Sequence, residues 1–209
     1  METTSQRVGF GGLELLTAPG RVMTPRPATE RLVERSLVRL GRRRARVADV
    51  GSGSGAIAVA LALRAPHAEI WAVDVSPDAV ELTRANAELH AVADRIHVVQ
   101  GDLLEAVPGQ LDLIVANLPY LPASSHRERR YAALRAEPVA AVFAPGDGLG
   151  PYRRLVREGE DRLRGSGGIV LQYRGAVFEA PRSELPDLLL ALEEAAESLS
   201  AAGRRARAA

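Results

Sequence analysis

The sequence predicts an α/β fold, a doubly wound and mostly parallel sheet with helices on both faces. Short apolar runs at residues 46–50, 69–74, 96–100 and 111–116 alternate with helical patterns, the signature of strands buried on both faces and joined by crossover helices. A glycine-rich turn, Asp49-Val50-Gly51-Ser52-Gly53-Ser54-Gly55, directly follows the first run, and Asp74 and Asp102 stand at the ends of the second and third.

Taken in order, residues 8–23 alternate weakly around Gly11-Gly12 and Pro19-Gly20, which predicts a short hairpin and then a loop, Thr24-Pro25-Arg26-Pro27. Leu32, Val33, Ser36, Leu37 and Leu40 share one face of a helix over 28–40, stopped by Gly41. The four apolar runs are the first four parallel strands, with helices over 56–64 and from Ser76 or Pro77 to about 90 between them. A helix over 152–164, a fifth strand over 168–173 and a last helix over 184–199 complete the pattern, and no further strand is read. Residues 1–45 are thus expected as a hairpin, loop and helix packed on a main domain of 46–199. Residues 200–209, rich in Ala and Arg, are expected as an irregular tail.

Composition bounds the function. With 46% apolar and 25% charged residues over 209 positions, the chain reads as one ordinary globular unit. The apolar stretches at 56–63 and 188–192 are too short to span a bilayer and residues 1–10 hold no signal-peptide core, so a cytoplasmic location is expected. Cysteine is absent, which excludes disulfides and thiol chemistry. The net charge of +1 gives no global pull toward nucleic acid, although arginines, the only cationic residues besides histidine, cluster at 42–46, 127–130 and 204–207. His67, His90, His97 and His126 are scattered without metal-ligand spacing, and no metal is expected. Trp71, alternating with Ile70 and Val73, reads as packing, and Tyr131, Tyr152 and Tyr173 as core or rim.

Glycines at the carboxyl end of the first strand let the chain turn sharply and let its backbone approach a ligand, with the next helix presenting its amino end there. Asp74, about twenty residues on, is placed to accept hydrogen bonds from ribose hydroxyls, and Gly101-Asp102 to reach an adenine. Val75 and Leu103, beside these acids, belong to the same expected cofactor surface. Gly51, Gly53 and Ala56 also satisfy the G-x-G-x-x-G/A dinucleotide pattern, so the turn itself admits a nicotinamide dinucleotide as readily as S-adenosylmethionine.

Asn117-Leu118-Pro119-Tyr120 follows the fourth strand at the edge of the sheet where ligands bind. An asparagine side-chain carbonyl and an adjacent backbone carbonyl can accept both hydrogens of a planar NH2 group, and an aromatic ring can stack on its plane. Asn117 and Tyr120 are therefore the candidate catalytic residues, with Leu118 and Pro119 completing the acceptor contact. The chemistry is an in-line displacement that positioning can drive without a nucleophile or a His/Asp dyad.

The set of residues 49–55, Asp74, Asp102 and Asn117-Leu118-Pro119-Tyr120 resembles the class I methyltransferases that modify planar amino groups. More narrowly, Thr24-Pro25-Arg26-Pro27-Ala28-Thr29-Glu30 resembles the P-R-P-x-T-E segment of the HemK family, the release-factor glutamine N5-methyltransferases. Glu137-Pro138 with Ala140-Ala141, and Gly146-Asp147-Gly148-Leu149 followed by Tyr152-Arg153, resemble the segments that follow that family's N-P-P-Y motif. The similarity runs over about residues 10–173. It implies S-adenosylmethionine as cofactor and S-adenosylhomocysteine as product, with Asp49, Gly51, Ser52, Gly53 and Gly55 at the cofactor, Asp74 on the ribose and Asp102 near the adenine. It further implies that Asn117 and Tyr120 hold the acceptor, a protein glutamine, and that residues 25–30 close over the site.

The sequence departs from the family at four places. Leu118 replaces the first proline of N-P-P-Y, which removes a fixed φ while keeping the carbonyl; N-L-P-Y also resembles the rRNA adenine dimethyltransferases. No counterpart of the family's amino-terminal helical domain is read, so recognition of the acceptor is expected to differ. Gln172 stands where the family usually has glutamate. The terminal hairpin after the last helix is missing, and the sheet is expected to be shortened or completed by a partner copy. These departures leave a small-molecule or peptide amine or amide as the alternative acceptor. Adenine N6 of nucleic acid ranks third, because no basic stripe interleaved with aromatics is present, and an inactive cofactor-binding scaffold ranks last.

Overall fold

A computed structural model describes the backbone of residues 6–208 and the side chains of 6–129 and 131–198. The antiparallel hairpin β1 (Gln6–Phe10) and β2 (Leu13–Thr17) opens the chain. A 3-10 turn at Pro27–Thr29 leads into α1 (Glu30–Leu40), ended by Gly41. β3 (Ala45–Val50), α2 (Ala56–Arg64), β4 (Ala68–Asp74), α3 (Pro77–Leu89), β5 (Ile96–Gln100) and β6 (Leu111–Ala116) follow, each end within a residue of its expected place. Ser76 starts α3 as its sequence suggests: its Oγ accepts from Ala79 N at 3.4 Å, and Pro77 occupies a position whose N–H would have no helical partner.

Between β6 and α5 (Gly150–Arg162) the chain makes an excursion holding β7 (Leu121–Pro122), α4 (Val139–Val142) and β8 (Phe143–Ala144), with 3-10 turns at Ala123–Ser125 and Arg129–Ala136. After α5 come β9 (Leu163–Tyr173), β10 (Ala176–Pro181) and α6 (Leu185–Ala208).

The main sheet has the order β10-β9-β6-β3-β4-β5, parallel throughout except for the β9–β10 hairpin. Alternate residues feed two separate cores: Val47, Leu113, Val115 and Val170 face α1 and α2, while Ala48, Ile114, Ile169 and Leu171 face α5 and α6. Trp71 is buried in the second core, stacked on His97 and capped by the Arg46 guanidinium 4.2 Å from its ring, a packing role.

Several elements differ from expectation: β7, α4 and β8 are not read in the sequence, and β9 begins at Leu163 rather than at residue 168. β10 was not legible, because six residues ending in a proline give a weak strand pattern. It forms through a two-residue turn in which Arg174 and Gly175 both have left-handed φ, +51° and +84°, the geometry that folds a strand tightly back on its neighbour. The proline sits at the last position of an edge strand, where a missing N–H is tolerated. α6 continues to Ala208, past residue 199 where an irregular tail is expected, because the Ala and Arg that fill this stretch are strong helix formers. No helix among the described residues is long and apolar enough to cross a membrane.

Candidate active site

The strand order reverses between β3, which continues to β4, and β6, on its other side, so a crevice opens at the carboxyl ends of these strands. A cavity of about 280 Å³ lies there, near the low end for small-molecule sites. Its wall takes Val50, Gly51 and Gly53 from the glycine turn, Asp74 and Val75 after β4, Gly101, Asp102 and Leu103 after β5, and Asn117, Leu118 and Pro119 after β6. Four separate strand ends, each singled out in the sequence, thus converge on one space.

The turn is built largely from its own hydrogen bonds. Gly51 N and Ser52 N donate to Val73 O at 2.8 and 3.0 Å, Gly55 N donates to Ser52 O at 2.8 Å, and Gly53 N donates to Asp74 Oδ2 at 2.9 Å. These N–H groups are therefore engaged within the fold; a buried turn must first satisfy its own donors. Gly51, Gly53 and Gly55 all have left-handed φ, and a Cβ on Gly51 would lie 2.9 Å from Leu118 Cδ2. The acceptor loop packs directly on the turn at that point.

Asp74 spends one lone pair of each carboxylate oxygen on the backbone, Oδ2 on Gly53 N and Oδ1 on Ser76 N, both at 2.9 Å. A carboxylate has about four acceptor positions, which leaves two for ligand hydroxyls. Asp102 lines the cavity while one oxygen takes Arg154 at 2.9 Å.

Three residues expected on the cofactor surface stand behind it. Asp49 is fully buried, its Oδ2 accepting from Ala58 N at 3.0 Å and so holding the start of α2, and burial followed by the negative charge of Asp74 pushes its carboxyl up to about 7. Ser52 and Gly55 pack against Thr83 of α3, Ser52 through a 3.3 Å contact between hydroxyls. The pattern that marks a glycine turn does not separate residues that touch a ligand from those that brace the turn.

Asn117 ends β6 half-buried, with Nδ2 donating to Thr29 Oγ1 at 3.4 Å. Tyr120 lies beyond the cavity wall rather than in it, its ring edge-on to Tyr173 at 5.6 Å, and burial raises its phenol pKa. A phenol held protonated is no base. His126 packs edge-on against Phe143 at 4.9 Å as part of the excursion.

Residues 21–23, not the expected 25–30, reach the cavity wall. Arg21, Val22 and Met23, which carry no motif, line it; Arg21 is ion-paired with Asp78, and Val22 lies against Gly53. Glu137 secures the next stretch, accepting from Thr24 N at 3.1 Å and from Arg26 at 3.4 Å, while Glu30 accepts from Gly11 N at 3.0 Å. Two motifs far apart in sequence are therefore one unit in space. Pro138, Ala140, Ala141 and Pro151 complete the wall. Their apolar character gives no signal in the sequence by itself.

Comparison with known proteins agrees with this geometry. Residues 27–136 match the family described as Methyltransferase small domain. The chain is 40% identical over 166 residues to a release factor glutamine methyltransferase of Deinococcus radiodurans, covering 79% of this chain and 58% of that protein. It is 37% identical over 174 residues to the Escherichia coli K12 enzyme of the same name, covering 83% and 62%. The chain thus spans about three fifths of the length of the curated relatives it matches. Among solved structures, a 16S rRNA methyltransferase of T. thermophilus superposes with a TM-score of 0.58 at 24% identity, covering 80% of this chain and 41% of that one. A ribosomal protein L11 methylase of Lactobacillus delbrueckii does so with 0.53 at 23%, covering 83% and 70%. At these identities the structural likeness speaks for the fold.

Proposed function

The chain belongs to the Methyltransferase small domain family, an S-adenosylmethionine-dependent methyltransferase domain, and from that premise we propose that it methylates the side-chain amide nitrogen of a protein glutamine. The single observation carrying this reading is Asn117 at the cavity wall with its Nδ2 tied to Thr29, which leaves Oδ1 as the free acceptor. The curated relatives act, by their names, on glutamine of release factors, and extending that acceptor to this chain is part of the proposal.

The cradle suits the cofactor. Glycines replace side chains where the wall is tightest, Asp74 keeps two acceptor positions for ribose hydroxyls, and the apolar wall around Val75 and Leu103 suits an adenine face. S-adenosylmethionine, when bound, supplies an activated methyl on a sulfonium sulfur. Asn117 Oδ1 and Leu118 O would then accept the two N–H groups of the acceptor amide. In this reading the two carbonyl oxygens would hold the acceptor nitrogen in line with the cofactor's methyl, and the proton it loses would pass to water. No residue here need act as base.

The test is mass spectrometry of purified release factors and of pooled small metabolites after incubation with the protein and isotopically labelled S-adenosylmethionine. A label on a glutamine side chain is the expected result. A label confined to a small molecule replaces the acceptor and keeps the chemistry, and a labelled nucleic acid overturns the amide reading.

A further inference from the structure

We propose that Tyr152 is a positioning residue for methyl transfer, its buried hydroxyl fixing the Leu118 carbonyl that helps hold the acceptor nitrogen. The inference rests on the amide clamp described above and deepens it.

Tyr152 is fully buried in the first turn of α5. Its hydroxyl lies 2.8 Å from Leu118 O and 2.6 Å from Gln172 O. Both partners are carbonyl acceptors and the phenol carries one hydrogen, so a single O–H serves two backbone oxygens, tying the loop after β6 to the end of β9. A buried tyrosine needs one partner for its hydroxyl, and Gln172 O alone would satisfy it. The contact with Leu118 is additional, and it falls on the residue whose carbonyl the clamp uses. Because a carbonyl has two lone pairs, the bond from Tyr152 leaves one for an acceptor N–H.

The local backbone explains why such a tether matters. The Pro119 ring fixes φ of residue 119 and biases Leu118 toward extended conformations, but ψ of Leu118 keeps a range within them. The plane of the peptide that carries Leu118 O turns with that ψ unless something holds it. The tether is itself rigid: the Tyr152 ring is edge-on to Tyr173 at 5.5 Å, and Tyr173 is edge-on to Tyr120 at 5.6 Å. Next to it, Arg153 is anchored to Asp147 at 2.8 Å and to Glu193 at 2.9 Å, fixing the start of α5.

The experiment measures methyl transfer to a purified release factor, and cofactor affinity by calorimetry, in Tyr152→Phe. That change removes one oxygen and keeps the ring. A tenfold fall in kcat, about 1.4 kcal/mol, is expected with the cofactor Kd within twofold of the parent. Full kcat in Tyr152→Phe with only a lower unfolding midpoint would mean a purely structural hydroxyl and overturns the proposal, as would loss of cofactor affinity equal to the loss of turnover. If Tyr152→Phe does not fold, 3,5-difluorotyrosine placed at position 152, which keeps the hydroxyl and alters its donor strength, is the deciding variant: a change in kcat of at least threefold at unchanged cofactor Kd supports the tether, and an unchanged kcat overturns it. Asn117→Ala separates this from the wider reading. A dead Asn117→Ala beside a fully active Tyr152→Phe sinks only the tether, whereas full activity in Asn117→Ala means that the clamp has failed.

Discussion

Thr29 Oγ1 accepts from Asn117 Nδ2 at 3.4 Å, so a hydroxyl just before α1 engages one end of the amide that follows β6. Asparagine presents two donors on one side and an acceptor on the other, and a flipped amide would offer an acceptor nitrogen the wrong partner. With Nδ2 engaged, Oδ1 is the atom left to receive an N–H. Thr29→Val keeps the volume and removes the hydroxyl. We expect it to lower kcat/KM for the acceptor by about fivefold to tenfold, in line with one lost hydrogen bond of about 1 kcal/mol, and to leave cofactor affinity unchanged. Thr29→Ser should behave as the parent. Equal kinetics in Thr29→Val and the parent would show that Asn117 holds its orientation without Thr29.

Asp74 joins the turn to the start of α3 through Gly53 N and Ser76 N while keeping room for ligand hydroxyls. Under the proposed cofactor reading, Asp74→Ala removes a ribose contact and loosens the turn together. Calorimetry with S-adenosylmethionine is expected to show at least a tenfold weaker Kd. An unchanged Kd would remove Asp74 from the cofactor site.

Gly148 has φ of +90°, and a Cβ there would lie 2.2 Å from Tyr120 O, a clash with backbone rather than with a side chain that could move aside. Gly148→Ala must displace either residues 146–149 or the acceptor loop. A loss of about 2–4 kcal/mol in unfolding free energy is expected, combining strained φ with overpacking, together with loss of methyl transfer. A stable, active Gly148→Ala in denaturant melts and turnover assays would show that the two loops are not packed as described.

Burial holds the Asp49 carboxyl at about 7, above its ordinary value of 3.8. In this window the folded protein binds a proton that the unfolded chain has released, so stability falls as pH rises from about 4 to about 7 and is flat above. The full linkage is on the order of 4 kcal/mol. Asp49→Asn, which can still accept from Ala58 N, should remove most of this slope. Denaturant melts at several pH values between 4.5 and 8 check it, and parallel stability curves for the two proteins would contradict the buried acid.

Much of this architecture is written locally. The alternation of apolar runs and helical patterns fixed β3 to β6 and their helices to within a residue, because strands buried on both faces and helices with one apolar face carry period and length in the sequence itself. The ends of those strands could be named for the same reason: a doubly wound sheet brings its carboxyl ends to one crevice, which placed Gly51, Gly53, Asp74, Asp102 and Asn117 together on topology alone. Tertiary structure decided the rest. β10 exists because β9 offers an edge and Arg174-Gly175 a tight reversal, not because six residues demand a strand. Asp49 and Ser52 look like ligand residues in the motif yet brace α2 and α3, since which side of a turn a side chain occupies depends on what packs behind it. The pairs Thr29–Asn117, Glu137–Arg26 and Tyr152–Leu118 span 88, 111 and 34 residues, and no local pattern encodes a contact at such separation. The sequence by itself determined the strands and the crevice; only the packing of α1, the 117–149 excursion and α5 decided which atoms face it, because those contacts join residues far apart in the chain.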